Sequence, residues 1–171
     1  MERHLDGGRG PAVARLIGGM SLAVSLLVAA SSAALAAGPF AGFAGTWDGA
    51  GSVVFKNGSS ERIRCRAQYA TSSGDNVLTQ QLRCASTSYQ FELNTEIRHS
   101  NGTISGSWVE EINAVTGNVS GEASDGRIRA FVRGEGVAAS VAVTMGSDVQ
   151  AVTMRPQDQR VAEVSIELRR K

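Results

Sequence analysis

The sequence predicts an all-β protein: a single up-and-down antiparallel β-barrel, or a strongly curved half-barrel, of eight to ten strands preceded by a signal peptide. Three observations predict it. Past residue 40, apolar and polar side chains alternate with period two almost throughout, as strands with one buried face require. Asn101-Gly102 and Asp125-Gly126, the strongest two-residue hairpin signals, sit between such alternating runs. No segment of that region carries the 3.6-residue period of a helix.

The 171-residue chain opens with a basic lead containing Arg3, Arg9 and Arg15. An uncharged, Leu/Val/Ala-rich run, Leu16–Ala34, follows, and Ala34-Leu35-Ala36 supplies a small-x-small cleavage pattern. Together these read as a secretory signal peptide over residues 1–36, leaving residues 37–171 as one domain. Gly18, Gly19 and several serines make the run a poor membrane span, so membrane association is expected only where the segment stays uncleaved. Of the 17 Lys and Arg and 16 Asp and Glu in the chain, three and two fall in the leader, so the remainder is balanced in formal charge. A neutral domain without a basic block argues against nucleic acid as a partner. Export points to a periplasmic or secreted protein, and both cysteines lie in the mature part, where one disulfide is the simplest outcome.

The strands follow in order. The first runs through Phe43–Val53. In Arg62–Tyr69, Ile63, Cys65, Ala67 and Tyr69 share one face, and Arg62, Arg64, Arg66 and Gln68 share the other. Gly74-Asp75 reads as a two-residue type II′ loop that pairs residues whose numbers sum to 149. Cys65 and Cys84 then face each other on the apolar side with Leu78 and Leu82, close enough for a disulfide. The same register sets Arg66 against Arg83. Asn101-Gly102 pairs residues summing to 203, which puts Phe91, Leu93, Thr95 and Ile97 on the face of Ile104, Gly106, Trp108, Glu110 and Ile112. Asp125-Gly126 pairs residues summing to 251: Val119, Gly121 and Ala123 meet Ile128, Ala130 and Val132, and Glu122 lies opposite Arg129. Val137–Val143 and Ala162–Leu168 alternate in the same way. Breaks at Asn57-Gly58, Gly134–Gly136, Gly146–Asp148 and Pro156–Gln159 supply the other turns. A sheet of this many strands leaves two costly edges unless it curls and closes, and a closed barrel of this size has room for a small ligand.

Gly45-Thr46-Trp47, with an echo in Gly106-Ser107-Trp108, resembles the G-x-W opening of calycin-type barrels: the lipocalins, avidins and nitrobindin-like proteins. The chain is also similar to small exported β proteins of Gram-negative bacteria. The calycin resemblance implies that Trp47 begins the first strand and plugs one end of the barrel, and that a ligand is held inside. The sequence departs from lipocalins in lacking a helix near its end, and from cytosolic fatty-acid-binding barrels in lacking a helical pair after the first strand.

The chemistry-bearing residues point away from catalysis. His99 is the only histidine outside the leader, so no Ser/His/Asp or Cys/His arrangement and no metal-ligand spacing can be written; no cofactor and no metal are expected. Glu110 falls on an apolar face, where a carboxylate needs a partner or a ligand. The first expectation is therefore a non-enzymatic barrel holding a small apolar ligand, with Tyr69, Leu93, Trp108 and Glu110 as candidate lining residues. The alternative is a filled barrel in the cell envelope that binds a protein partner through the outward face bearing Arg62, Arg64, Arg66 and Arg83.

Overall fold

The computed structural model describes residues 37–157 and 160–171; the segment read as a signal peptide, residues 1–36, lies outside them. Ten strands follow one another: β1 (Gly45–Phe55), β2 (Ser60–Ser72), β3 (Val77–Ala85), β4 (Gln90–Ser100), β5 (Thr103–Glu110), β6 (Val115–Ser124), β7 (Arg127–Gly134), β8 (Val137–Met145), β9 (Val149–Pro156) and β10 (Val161–Arg170). Each pairs antiparallel with the one before it, and β1 pairs with β10 from Trp47 against Arg170 to Val54 against Glu163. The sheet is thus a closed barrel rather than a half-barrel, and closure removes the unpaired edges an open sheet would expose.

The register follows the turn chemistry. Cys65 lies opposite Cys84, Leu93 opposite Glu110, and Glu122 opposite Arg129. Asn101 and Gly102 take φ of 50° and 83°, and Asp125 and Gly126 take 48° and 71°, as type I′ turns need. The β2–β3 connection keeps its register but not the expected turn. Pairing stops at Ser72 and Val77, and Ser73, Gly74 and Asp75 all have positive φ, whereas a type II′ turn needs only one. The wider loop turns its carbonyls toward the segment that precedes β1: Gly38 N donates to Gly74 O (2.8 Å) and Phe40 N to Asp75 O (3.2 Å). Ile112 is a second departure. β5 ends at Glu110, and Ile112 is half exposed in the following turn instead of facing inward.

Inward positions are apolar and outward positions polar, the inverse of a barrel whose outer wall meets lipid. Large inward side chains concentrate on β10, β1, β2 and β3: Trp47, Ile63, Tyr69, Leu78, Leu82, Ile166 and Leu168 are all buried. The Cys65–Cys84 disulfide joins β2 to β3 in this half, with Cα atoms 4.1 Å apart. Bridging residues 19 apart, it stabilises the fold by about 3 kcal/mol in the chain-entropy picture. Across the barrel, the inward positions of β6–β9 carry mainly Gly, Ala and Val, and Ala130, Val132, Val143 and Val152 remain half-buried.

Candidate functional site

One end of the barrel is closed by the chain itself. Residues 38–43 cross it ahead of β1 and bury Phe40 and Phe43 completely. Their rings pack edge to face, and Phe43 also meets Tyr69 edge-on (6.1 and 5.7 Å between centroids). Trp47 lies directly beneath, fully buried, its indole Nε1 donating to Phe43 O at 2.9 Å. The Arg170 guanidinium sits 4.3 Å from the Trp47 ring centroid and donates to the carbonyls of Ala44 and Gly42. First strand, last strand and lead-in segment are thereby fastened at one point. Beside this plug lies a recess of about 750 Å³. Its walls include Gly38, His99 and Gly126, and Ala123 and Met145 among its lining residues face the barrel interior.

From below the plug, one register row runs along the inner wall from β2 to β7, toward the opposite end of the barrel: Tyr69, Gln80, Thr95, Trp108, Gly117 and Gly134. Gln80 Nε2 donates to Tyr69 Oη (3.0 Å), and Tyr69 Oη donates across the barrel to Gln150 Oε1 on β9 (2.8 Å). Gln150 is fully buried. Burial pushes the Tyr69 phenol up to about 12, against the opposing pull of its hydrogen bonds to Gln80 and Gln150. At the other end of the row the Trp108 indole lies flat along the wall. A Cβ on Gly117 would come 2.5 Å from Trp108 Cε2, and one on Gly134 would come 2.6 Å from Cζ2. Only glycine at both positions lets the ring lie there.

The four candidate lining residues separate into two groups. Tyr69, Leu93 and Trp108 face the interior, Tyr69 and Trp108 in the same row and Leu93 half-buried between Leu82 and Glu110. Glu110 finds its partner in the backbone instead. Its carboxylate accepts from the backbone N–H groups of Glu92, Ile112 and Asn113 and from the Asn113 amide, at 2.7–3.2 Å. Desolvation works against ionisation, but these hydrogen bonds outweigh it and hold the carboxyl below its usual range. Glu110 organises the β5–β6 turn.

His99 is similarly committed. Its Nδ1 lies 2.8 Å from Asn76 Oδ1, and Gly102 N donates to its Nε2 at 3.0 Å, so the tautomer protonated at Nδ1 satisfies both contacts. The outward arginines are only partly balanced. Arg66 makes two contacts to Asp48 (2.6 and 3.3 Å), and Arg83 makes one to Glu92 (2.6 Å). The Arg66 and Lys171 contacts hold the Asp48 carboxyl down at about 2. Directly opposed, Arg66 and Arg83 thus each lean onto a carboxylate of the neighbouring strand. Arg62 and Arg64 make no ion pair among the described residues.

Of the interior residues, Gln80 and Thr95 were within reach of the turn arithmetic, which sets them opposite Tyr69 and Trp108. Gln150 carried no signal, because its contact to Tyr69 joins strands that are not neighbours.

No family model matches this chain, and no curated protein matches it. Among solved structures, the S-type phycobiliprotein lyase CPES from Guillardia theta is similar, with a TM-score of 0.52 over 75% of this chain and 88% of that one. Sequence identity is 9%. The likeness is one of fold.

Proposed function

We propose that the protein is an exported, non-enzymatic barrel that carries a small apolar ligand in its interior. The observation that carries this reading is the recess of about 750 Å³ beside the plug, whose lining includes the inward-facing Ala123 and Met145. The recess beside the plug, floored by Ala123 and Met145, is the mouth in this reading. The lyase of similar fold adds only that such a barrel occurs in a protein named for acting on another molecule. Two further features support the proposal. The disulfide suits an exported protein, and the two side chains best suited to acid–base work, Glu110 and His99, are both occupied in turns.

The test is titration of the mature protein with the neutral fluorophore N-phenyl-1-naphthylamine. Saturable binding of one dye per barrel is expected, with loss of binding in Val132→Trp, which fills the thinned wall. Absence of saturable binding refutes the reading. A second reading rests on Arg62 and Arg64, whose charges are left for an acidic protein partner on the barrel exterior. It is favoured if Arg62→Ala/Arg64→Ala abolishes a co-purifying protein and the dye never binds.

A further inference from the structure

Arg62 and Arg64 stand at alternate, exposed positions on the outer face of β2 and make no ion pair among the described residues. Their cross-strand neighbours explain why. In the row of Arg66, Asp48 lies on one side and Arg83 on the other, and both arginines reach a carboxylate. In the next row Arg64 lies between Ala50 and Ala85, and Arg62 lies against Ser52 where β3 has already ended. These small side chains leave a shallow hollow of about 320 Å³ beside the two arginines, walled by Ala50, Ala85, Ser86 and Thr87. The carboxylates around it are engaged elsewhere. Glu61 accepts from Ser88 N at 2.6 Å, which ties the connection carrying Ser86 and Thr87 to β2. Glu167, beyond Ala50 on β10, pairs with Arg169. Behind these rows the Cys65–Cys84 disulfide joins β2 to β3 and fixes their spacing.

We infer that this hollow binds a phosphate monoester group between the Arg62 and Arg64 guanidinium groups, on a surface separate from the barrel interior. Alternate residues of a strand are roughly 7 Å apart, so two long side chains can close on one small group from two sides. Each guanidinium offers a planar fork of N–H donors that takes two oxygens of an oxyanion. A phosphate monoester presents three terminal oxygens and about −1.5 to −2 charge at pH 7, which matches two forks and two positive charges. A carboxylate has two oxygens and one charge, and a single fork satisfies it. An acidic protein partner, the occupant considered above for this face, therefore gains only exposed ion pairs here, which are weak. The phosphate can belong to a soluble ester or to a lipid headgroup, and its recognition is the same in both.

Phenyl phosphate and benzoate, titrated into the mature protein at constant ionic strength and followed by amide chemical shifts, test this. Phenyl phosphate should bind saturably, shift the amides around Arg62, Arg64 and Thr87, and bind about tenfold or more tighter than benzoate. Arg62→Gln/Arg64→Gln should abolish the binding while the remaining spectrum stays that of the folded protein. Arg62→Lys/Arg64→Lys keeps the charge but loses the forks, and should weaken phenyl phosphate several-fold. Arg127→Gln/Arg129→Gln removes the same charge from alternate exposed positions of β7 and should change nothing. No saturable shift with phenyl phosphate, an equal loss in the β7 variant, or full affinity in the lysine variant overturns the inference. Equal affinity for benzoate also overturns it and returns the face to an acidic protein partner. Vesicle flotation separates the two sources of phosphate. Co-flotation with phosphatidylcholine vesicles containing phosphatidic acid assigns a lipid headgroup, and phenyl phosphate binding without co-flotation assigns a soluble ester; each upholds the site. Dye titration reads the interior independently, so the carrier reading and this inference fail separately.

Discussion

The two halves of the barrel are built on the same hairpin rules but to different ends. On β10, β1, β2 and β3 the inward positions include the buried Trp47, Ile63, Tyr69, Leu78, Leu82, Ile166 and Leu168, beside the small Gly49, Gly51 and Ala67, and a disulfide ties the β2–β3 hairpin. On β6–β9 most of the corresponding positions are Gly, Ala and Val, several half-buried, with Ile128, Met145, Gln150 and Met154 the larger exceptions, and the large ring resting on them, Trp108, comes from β5. Both arcs follow the same inward–outward alternation, so the division resides chiefly in side-chain volume. The comparison teaches that a small barrel can gather its stability into one arc and leave the other thin. Local sequence alternation is blind to this, because Gly, Ala, Ile and Trp all read as inward.

The comparison makes unequal substitutions of equal chemistry. The largest effect belongs to the tryptophans. Trp47→Ala should cost roughly 3–5 kcal/mol, because it empties the site where plug, β1 and Arg170 meet. Trp108→Ala should cost less, about 3 kcal/mol, because its ring is also buried but no hydrogen bond or cation–π contact is lost with it. Urea unfolding monitored by far-ultraviolet circular dichroism checks both, and equal costs would break the division. A finer version uses valine. Val164→Ala in the packed arc should cost about 2 kcal/mol and Val143→Ala in the thin arc about half that, read as a shift of the urea midpoint at constant slope.

How much of this was legible follows from the range of each interaction. The hairpin registers, the disulfide and the inward face of Tyr69, Leu93 and Trp108 came from turn residues and period-two alternation, which act between strands adjacent in the chain. Glu110 shows the limit. Alternation places it inward, but its strand ends at that residue, and three backbone N–H groups of its surroundings capture the carboxylate. The plug was hidden for another reason. Phe40 and Phe43 lie outside any strand and dock on a loop whose carbonyl directions no pattern of side chains encodes. Trp108 against Gly117 and Gly134 is a matter of rotamer, and alternation says only which face a side chain occupies.

The smallest predicted effect concerns the contact that joins the two arcs. Tyr69 is neutral when it donates to Gln150, and its folded pKa is raised above the ordinary 10.0 to about 12. A raised pKa means that its stabilisation is fully present below pH 10 and is lost as pH climbs toward 12. The loss should reach about 1 kcal/mol at pH 11. Thermal unfolding between pH 9 and 11 should show this decline in wild type and a shallower one in Tyr69→Phe. Identical slopes would mean that the phenol does not hold the arcs together.

The seam between β1 and β10 also sets a timetable. Every other pairing joins strands that follow directly in the chain, so each hairpin can form as soon as its own residues are available. The seam alone must bring Trp47 to Arg170, a loop closure costing about 2 kcal/mol more entropy than a hairpin of ten residues. Until that happens the molecule is an open sheet with two bare edges, each able to recruit the edge of a second molecule. Dilution should therefore raise the yield of refolding, and crowded refolding should generate aggregates through β1 and β10, long after the disulfide hairpin has taken shape.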